Sequence, residues 1–183
     1  MATEILIKND TPVVWANTAD YSPGAGVIYT RTHQLDLTSL ATTAARQGAK
    51  ADLGTPRASA YVVRFSPAVN VAVAAGAAIY VYFGFSNSLT AGLDNPGALT
   101  GADAAYTGAA DGTIAGSVKQ LVGPFTYVCE SATVGIEVPM NIGILNPTMQ
   151  YVSPVVFNSS GQALEGDAIE MFLALIPIVI ESQ

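Results

Sequence analysis

Few side chains in this chain could do covalent or acid–base chemistry, and their spacing does not assemble them. There is one histidine, His33, and one cysteine, Cys129. Asp36 follows His33 by three residues, but a triad also needs a serine in a strained turn of the G-x-S-x-G kind, and none is present. His33 therefore reads as a surface or edge residue. Cys129 ends an apolar stretch, Phe125-Thr126-Tyr127-Val128-Cys129, and reads as a small buried residue. A single cysteine excludes both an internal disulfide and a thiolate metal site. Asp94, Asp103 and Asp111 lack the D-x-[DN]-x-[DN]-G spacing of a calcium loop. Gly24-Ala25-Gly26 lacks the third glycine of a dinucleotide fingerprint, and no long helix follows it. Carboxylates for glycoside hydrolysis could be gathered from distant strands. A sugar cleft would normally show exposed aromatics, however, and Tyr61, Tyr80, Tyr82 and Tyr127 all sit in apolar stretches and read as core. The expectation is a protein that is not an enzyme, with no cofactor and no metal.

The elements around these residues are strands. Ala77 to Phe85 is rich in Ile, Val, Tyr and Phe, which suit a pleated surface. One face carries Ile79, Val81, Phe83 and Phe85, the other Tyr80, Tyr82 and Gly84. Neither is polar, so this strand is expected to be central and covered on both sides. Arg57 to Ser66 alternates, with Tyr61, Val63 and Phe65 on one face. Leu35 and Leu37 alternate with Gln34 and Asp36. Further extended segments are expected at 4–8, 12–15, 47–53, 117–122, 124–130, 149–158 and 167–180. Pro154 and Pro177 cannot donate to a ladder and should lie at an edge or a bulge. About eight to ten strands with frequent turn signals and no convincing helix predict an all-β antiparallel sandwich, most naturally a jelly roll. One sandwich domain is expected over 27–183, preceded by a strand or arm segment over 1–26. Ser86 to Gly108 is a long turn-rich loop, and loops of that length usually have a function.

Composition narrows the partners. Of 183 residues, 50% are hydrophobic and only 11% charged, about half the usual charged share. Missing surface charge suggests burial against copies of the chain or a partner. The net charge of −7, with seven Lys and Arg and no basic cluster, argues against nucleic acid. The opening Met1-Ala2-Thr3-Glu4 is polar and acidic, unlike a secretory leader. The longest apolar run, Met171 to Ile180, is about half of what a membrane-spanning helix needs. No membrane association is expected.

Several short motifs then point in one direction. Leu35-Asp36-Leu37-Thr38, the run from Ala45 to Gly54 (ARQGAKADLG), the loop FSNSLTAGLDNPGALTGADAAYTG and the strand MQYVSPVVFN resemble a family of small tailed-bacteriophage structural proteins. Gly48 stands where that family's pattern has Ser, and Gln150 where it has Arg. The resemblance covers most of the chain after Leu35, and its motifs are structural. It implies a virion component: a capsid cement or decoration protein of jelly-roll type, bound to the outside of the major capsid protein. Such a subunit would form a homo-oligomer, most simply a homotrimer. It would be made in the host cytoplasm and located on the capsid surface. Two other roles stay open, a tail, baseplate or head-fibre base component and a carbohydrate-binding sandwich module. Interface residues are expected in the long loop and the N-terminal segment: Trp15, Asn95, Pro96, Asp103 and Tyr106. For Trp15, a plug over the end of the core is the competing reading.

Overall fold

The computed structural model describes residues 5–9, 11–22, 29–108, 114–129, 135–136, 138–167 and 169–182. It contains fourteen strand segments: β1 (Ile5–Asn9), β2 (Val13–Ala16), β3 (His33–Gln34), β4 (Ala45–Gln47), β5 (Ala51–Asp52), β6 (Ala60–Ser66), β7 (Ala68–Val69), β8 (Ala78–Ser86), β9 (Ala104–Ala105), β10 (Val122–Val128), β11 (Gly135–Ile136), β12 (Met140–Leu145), β13 (Tyr151–Ser159) and β14 (Phe172–Ser182). The helical residues described are one α-turn, α1 (Ile114–Ser117), and a 3-10 turn over Val118–Gln120. That stretch overlaps the strand expected from Ser117 to Val122, which is thereby corrected.

Two sheets face each other. Sheet A runs β12-β6-β14-β2-β3, with β1 also on β14, and sheet B runs β10-β8-β13-β4-β9, with β5 also on β13. In each sheet one strand is broken in two. Asn9 lies opposite Ile178 and Val13 opposite Leu175, so four steps along β1 and β2 match three along β14. Gln47 lies opposite Val155 and Ala51 opposite Val152, the same offset between β4, β5 and β13.

These breaks account for the two prolines. Both stand in interior strands, so the edge placement is excluded. Pro154 lies where β4 gives way to β5, and Pro177 where β1 gives way to β2. The neighbouring strand, not the proline strand, carries the irregularity. Gly48 in the break donates its N–H to the Pro154 carbonyl at 2.9 Å. A Cβ on Gly48 would meet Pro154 Cγ at 2.9 Å and Trp15 Cδ1 at 3.0 Å, so only glycine closes this gap without a shift.

Counting each broken strand as one, and setting aside the short β3, β7, β9 and β11, eight strands remain. The first pairs with the eighth (β1/β2 with β14), the second with the seventh (β4/β5 with β13), the third with the sixth (β6 with β12) and the fourth with the fifth (β8 with β10). This nested pairing is a jelly roll. The segment expected as a strand or arm contributes to it: β1 and β2 belong to sheet A.

The core lies between the sheets. Val63, Phe65, Leu173 and Leu175 come from sheet A, and Ile79, Val81, Phe83, Val152 and Val156 from sheet B, all fully buried. The inward faces of β6 and β8 are those that alternation assigned. Phe65 and Tyr127 meet edge to face across the layers, at 5.7 Å and 89°. Burying side chains of this size contributes about 1.5–3 kcal/mol each. Cys129 is buried in the same cluster.

Candidate functional site

The long loop after β8 is held in place by the strand pair β4/β5. Along β4 and its break, polar side chains from both faces grip the loop, Gln47 from the outer face it shares with Val155 and Arg46 from the face it shares with Val156. Arg46 pairs with Asp103 through two parallel bonds, Nε to Oδ1 at 2.8 Å and Nη2 to Oδ2 at 2.7 Å. Gln47 Oε1 accepts the Thr100 N–H at 2.6 Å, and its Nε2 donates to the Ala105 carbonyl at 3.3 Å. Lys50 Nζ lies 3.0 Å from the Ser86 hydroxyl and from the carbonyls of Ser88, Thr90 and Leu93. One ammonium thus ties together the whole first turn of the loop. β9, inside the loop, adds itself to β4 as a further strand.

The loop also ties itself. Asn95 Nδ2 donates to the carbonyls of Ala91 and Leu99, and the Asp94 carboxylate accepts the Asn87 N–H at 2.7 Å. Beneath it, Leu99, Tyr106, Val118 and Leu121 cluster with Ala45 and Val155 on the outer face of sheet B. Gly84 makes this seat possible, since a Cβ there would run into Leu99 Cδ1, Pro96 Cγ and Leu121 Cδ2. β8 is therefore covered on its second face at the Gly84 end, as its composition implied.

Two electrostatic consequences follow from this geometry. Burial alone would raise the Asp103 pKa. The Arg46 guanidinium and the Asp36 backbone N–H outweigh it and hold the carboxyl below its ordinary value. Burial lowers the Lys50 pKa, with Asp94 acting against it.

The residues singled out from sequence fall into two groups. Trp15 is wholly buried, with its indole N–H donating to the Ala49 carbonyl at 2.7 Å, so it plugs the chain's own core. Tyr106 is buried as well, and its hydroxyl accepts the Ser117 hydroxyl at 2.8 Å. Asp103 is spent on Arg46, and Asn95 and Pro96 shape the loop from within. The structure brings all but Trp15 together in one loop, where they position rather than present. What the loop presents is at its tip. Leu89 is 71% and Leu93 58% exposed, held out by the turn that Lys50 pins. Neither was singled out from sequence. The available signal was the pair of leucines in an otherwise polar, glycine-rich turn.

The chemistry-bearing residues are scattered. His33 lies on the edge strand β3, its Nδ1 2.8 Å from the Thr32 hydroxyl, and burial followed by the Arg31 charge lowers its pKa. It borders a hollow of about 590 Å3 with Asp52, Arg57 and Tyr61. Among the described residues, no serine or cysteine lines that hollow. Among the described residues no group of His, Cys, Asp and Glu could hold a metal ion, and no helix is long and apolar enough to cross a membrane. Asp111 lies outside the described residues. The chain matches no family model, and comparison with curated proteins and with solved structures gives no significant match.

Proposed function

We propose that this chain is a structural subunit of a tailed-bacteriophage particle, a cement or decoration protein bound to the outside of the major capsid protein. The observation that carries the reading is the latched loop. Arg46, Gln47 and Lys50 fix its backbone while Leu89 and Leu93 stand in solvent. A loop held this firmly loses little freedom on binding, so two exposed leucines become an inexpensive apolar anchor. Low charge over the chain suits permanent contact, because the cores of such interfaces exclude charged residues. Apolar burial of about 25 cal/mol per Å2, repeated over many copies, would stabilise a shell by area rather than by chemistry. The same surface suits a symmetric homo-oligomer, most simply a trimer on a capsid three-fold. Jelly rolls occur in capsids and lectins alike, so the fold by itself does not choose.

The test is the copy number of this chain in purified particles, set against the major capsid protein. Near one copy per capsid subunit is the expected result. A few to a few dozen copies would move the protein to the tail, baseplate or head-fibre base. Absence from the particles would overturn the virion reading. Leu89→Asp with Leu93→Asp should abolish incorporation while leaving the isolated subunit folded.

A further inference from the structure

The loop covers only part of sheet B's outer face. At the Gly84 end, Leu99 and Leu121 lie on the strands. Towards the other end of β8 the last cover among the described residues is α1 and the 3-10 turn. There the sheet shows a cross-strand row, with Thr126 beside Tyr80, Tyr80 beside Phe157 and Phe157 beside Ala45. Tyr80 and Phe157 stack with their centroids 6.3 Å apart and their planes 19° from parallel. Both are half-buried, as is Tyr82. This corrects the core reading of Tyr80 and Tyr82, which holds for Tyr61 and Tyr127.

A groove of about 430 Å3 opens along this boundary, lined by Tyr80, Tyr82, Phe157, Lys119, Leu121 and Pro124 among others. Its volume lies in the range of small-ligand sites. Among the described residues, neither tyrosine hydroxyl nor the Lys119 ammonium has a hydrogen-bond partner. Burial, then the neighbouring Tyr80, raises the Tyr82 pKa, so its phenol stays a donor. The surface therefore alternates flat apolar rings with unused hydroxyls and one cation.

That combination selects its ligand. A purely apolar protein segment would strand two hydroxyls and an ammonium against its own surface, and each stranded group costs free energy. A sugar ring offers an apolar face for the rings and hydroxyls around its rim for the polar groups. Among the described residues that line the groove there is no carboxylate, so the paired acids that glycoside hydrolysis needs are not among them. We propose that this groove binds a sugar residue of a glycan without cleaving it, with Tyr80 and Phe157 as the platform and Tyr82, Thr126 and Lys119 as hydrogen-bonding groups. This does not depend on the virion reading and would add recognition of a surface polysaccharide to whatever the subunit assembles with.

The experiment is an NMR titration of the full chain, carbon-13 labelled in its aromatic rings, with maltohexaose, chitohexaose and a hexuronate oligomer. The expected result is that at least one oligomer shifts the Tyr80, Tyr82 and Phe157 signals together and saturably, while Tyr61 and Tyr127 stay still. Tyr80→Ala should weaken that binding about tenfold, the loss of one aromatic contact. Lys119→Met, which leaves the sheet untouched, should weaken it less. The buried Tyr127 signal reports that each variant is folded. No shift with any of the three oligomers would overturn the proposal, as would shifts that persist unchanged in both variants. Groove signals that respond to protein concentration and to no sugar would also overturn it, and would assign the face to a second copy of the chain.

Discussion

Both sheets have an outer face, and the chain covers each by a different means. Over sheet B, the loop 87–108 is fastened by side chains reaching out of β4 and its break: a two-bond ion pair, a glutamine and a lysine with four oxygen contacts. Over sheet A, the segment after β2 relies on aromatic packing. Tyr21 and Tyr29 lie against Phe172, with centroids 6.3 and 5.1 Å away, over a buried patch of Val14, Ala16 and Ala174. Hydrogen bonds anchor its ends, Asn17 Nδ2 to Asp36 and Thr38, Thr18 N–H to Gln34 and Thr32 N–H to the Val14 carbonyl, while over the patch the Tyr21 hydroxyl donates to the Tyr29 carbonyl at 2.9 Å and Ser22 N–H to the Ile169 carbonyl at 2.8 Å. Directional bonds fix a backbone in one shape, whereas apolar packing fixes area and tolerates rearrangement. The cover over sheet B is thus suited to display, and that over sheet A to protection.

The largest expected effect breaks the aromatic side. Phe172→Ala removes the ring that both tyrosines rest on and should cost about 3–5 kcal/mol, measured by urea unfolding. Loss of protection in amide exchange should appear first around Tyr21 and Tyr29. If residues 29–32 stay as protected as in the wild type, the packing account is wrong.

Next comes the seat of the other cover. Gly84→Ala forces a Cβ into Leu99 and Pro96 and should destabilise by about 1–3 kcal/mol. The tell-tale is where the strain goes: exchange should quicken across 95–106 and not within β6.

Arg46→Ala should cost about 1–3 kcal/mol, since it leaves the largely buried Asp103 carboxylate unpaired. It should also alter the acid limb. In the wild type the Asp103 pKa is lowered, so its contribution is present above the ordinary carboxyl value and is lost as pH falls through the lowered one. In Arg46→Ala the part owed to the guanidinium is gone, so the stability gap between wild type and variant should narrow as pH falls through the lowered value. Unfolding followed from about pH 5 downward would show the gap closing; a gap that stays constant would refute it.

Lys50→Met should cost only about 1 kcal/mol or less, the residue being partly exposed. It should nonetheless release the turn 88–93, seen as faster amide exchange confined to those residues. The smallest effect is Tyr21→Phe. Burial, then Tyr29, pushes the Tyr21 pKa up to about 12. Its raised value stabilises the fold below the ordinary tyrosine pKa of 10.0, and that contribution fades as pH rises towards 12. In the variant, an alkaline spectrophotometric titration should lose a phenol that titrates at about 12 in the wild type.

Much of the sandwich was legible in the residues themselves. β6 and β8 showed their inner faces because period-two alternation of large apolar side chains is a local property. The strand order was not legible, since each of the four nested pairings joins segments far apart in sequence. The prolines pointed to an edge or a bulge; the irregularity is there, but a proline reports only its own missing donor, and the accommodating break belongs to a different strand. Tyr80 and Tyr82 read as core because neighbours in sequence are apolar; what uncovers them is the place where a later segment stops. The motif from Ala45 to Asp52 stood out as a pattern before its purpose could be read. Its arginine, glutamine and lysine each answer a partner about forty to sixty residues on, and those partners lie in the loop that stood out with it.

The nested pairing also sets a schedule for biosynthesis. The innermost pair, β8 with β10, can close as soon as residue 128 has emerged, but each later ring waits for its partner. Sheet B lacks its middle until β13 appears, and sheet A cannot join its two halves until β14 is made. Until then β2 has only the short β3 beside it, and β6 only β12. Long-range pairings of this kind fold slowly and expose sticky edges meanwhile. For this chain, the fold cannot hold until β14 has emerged, and premature termination anywhere short of β14 yields no smaller version of the domain.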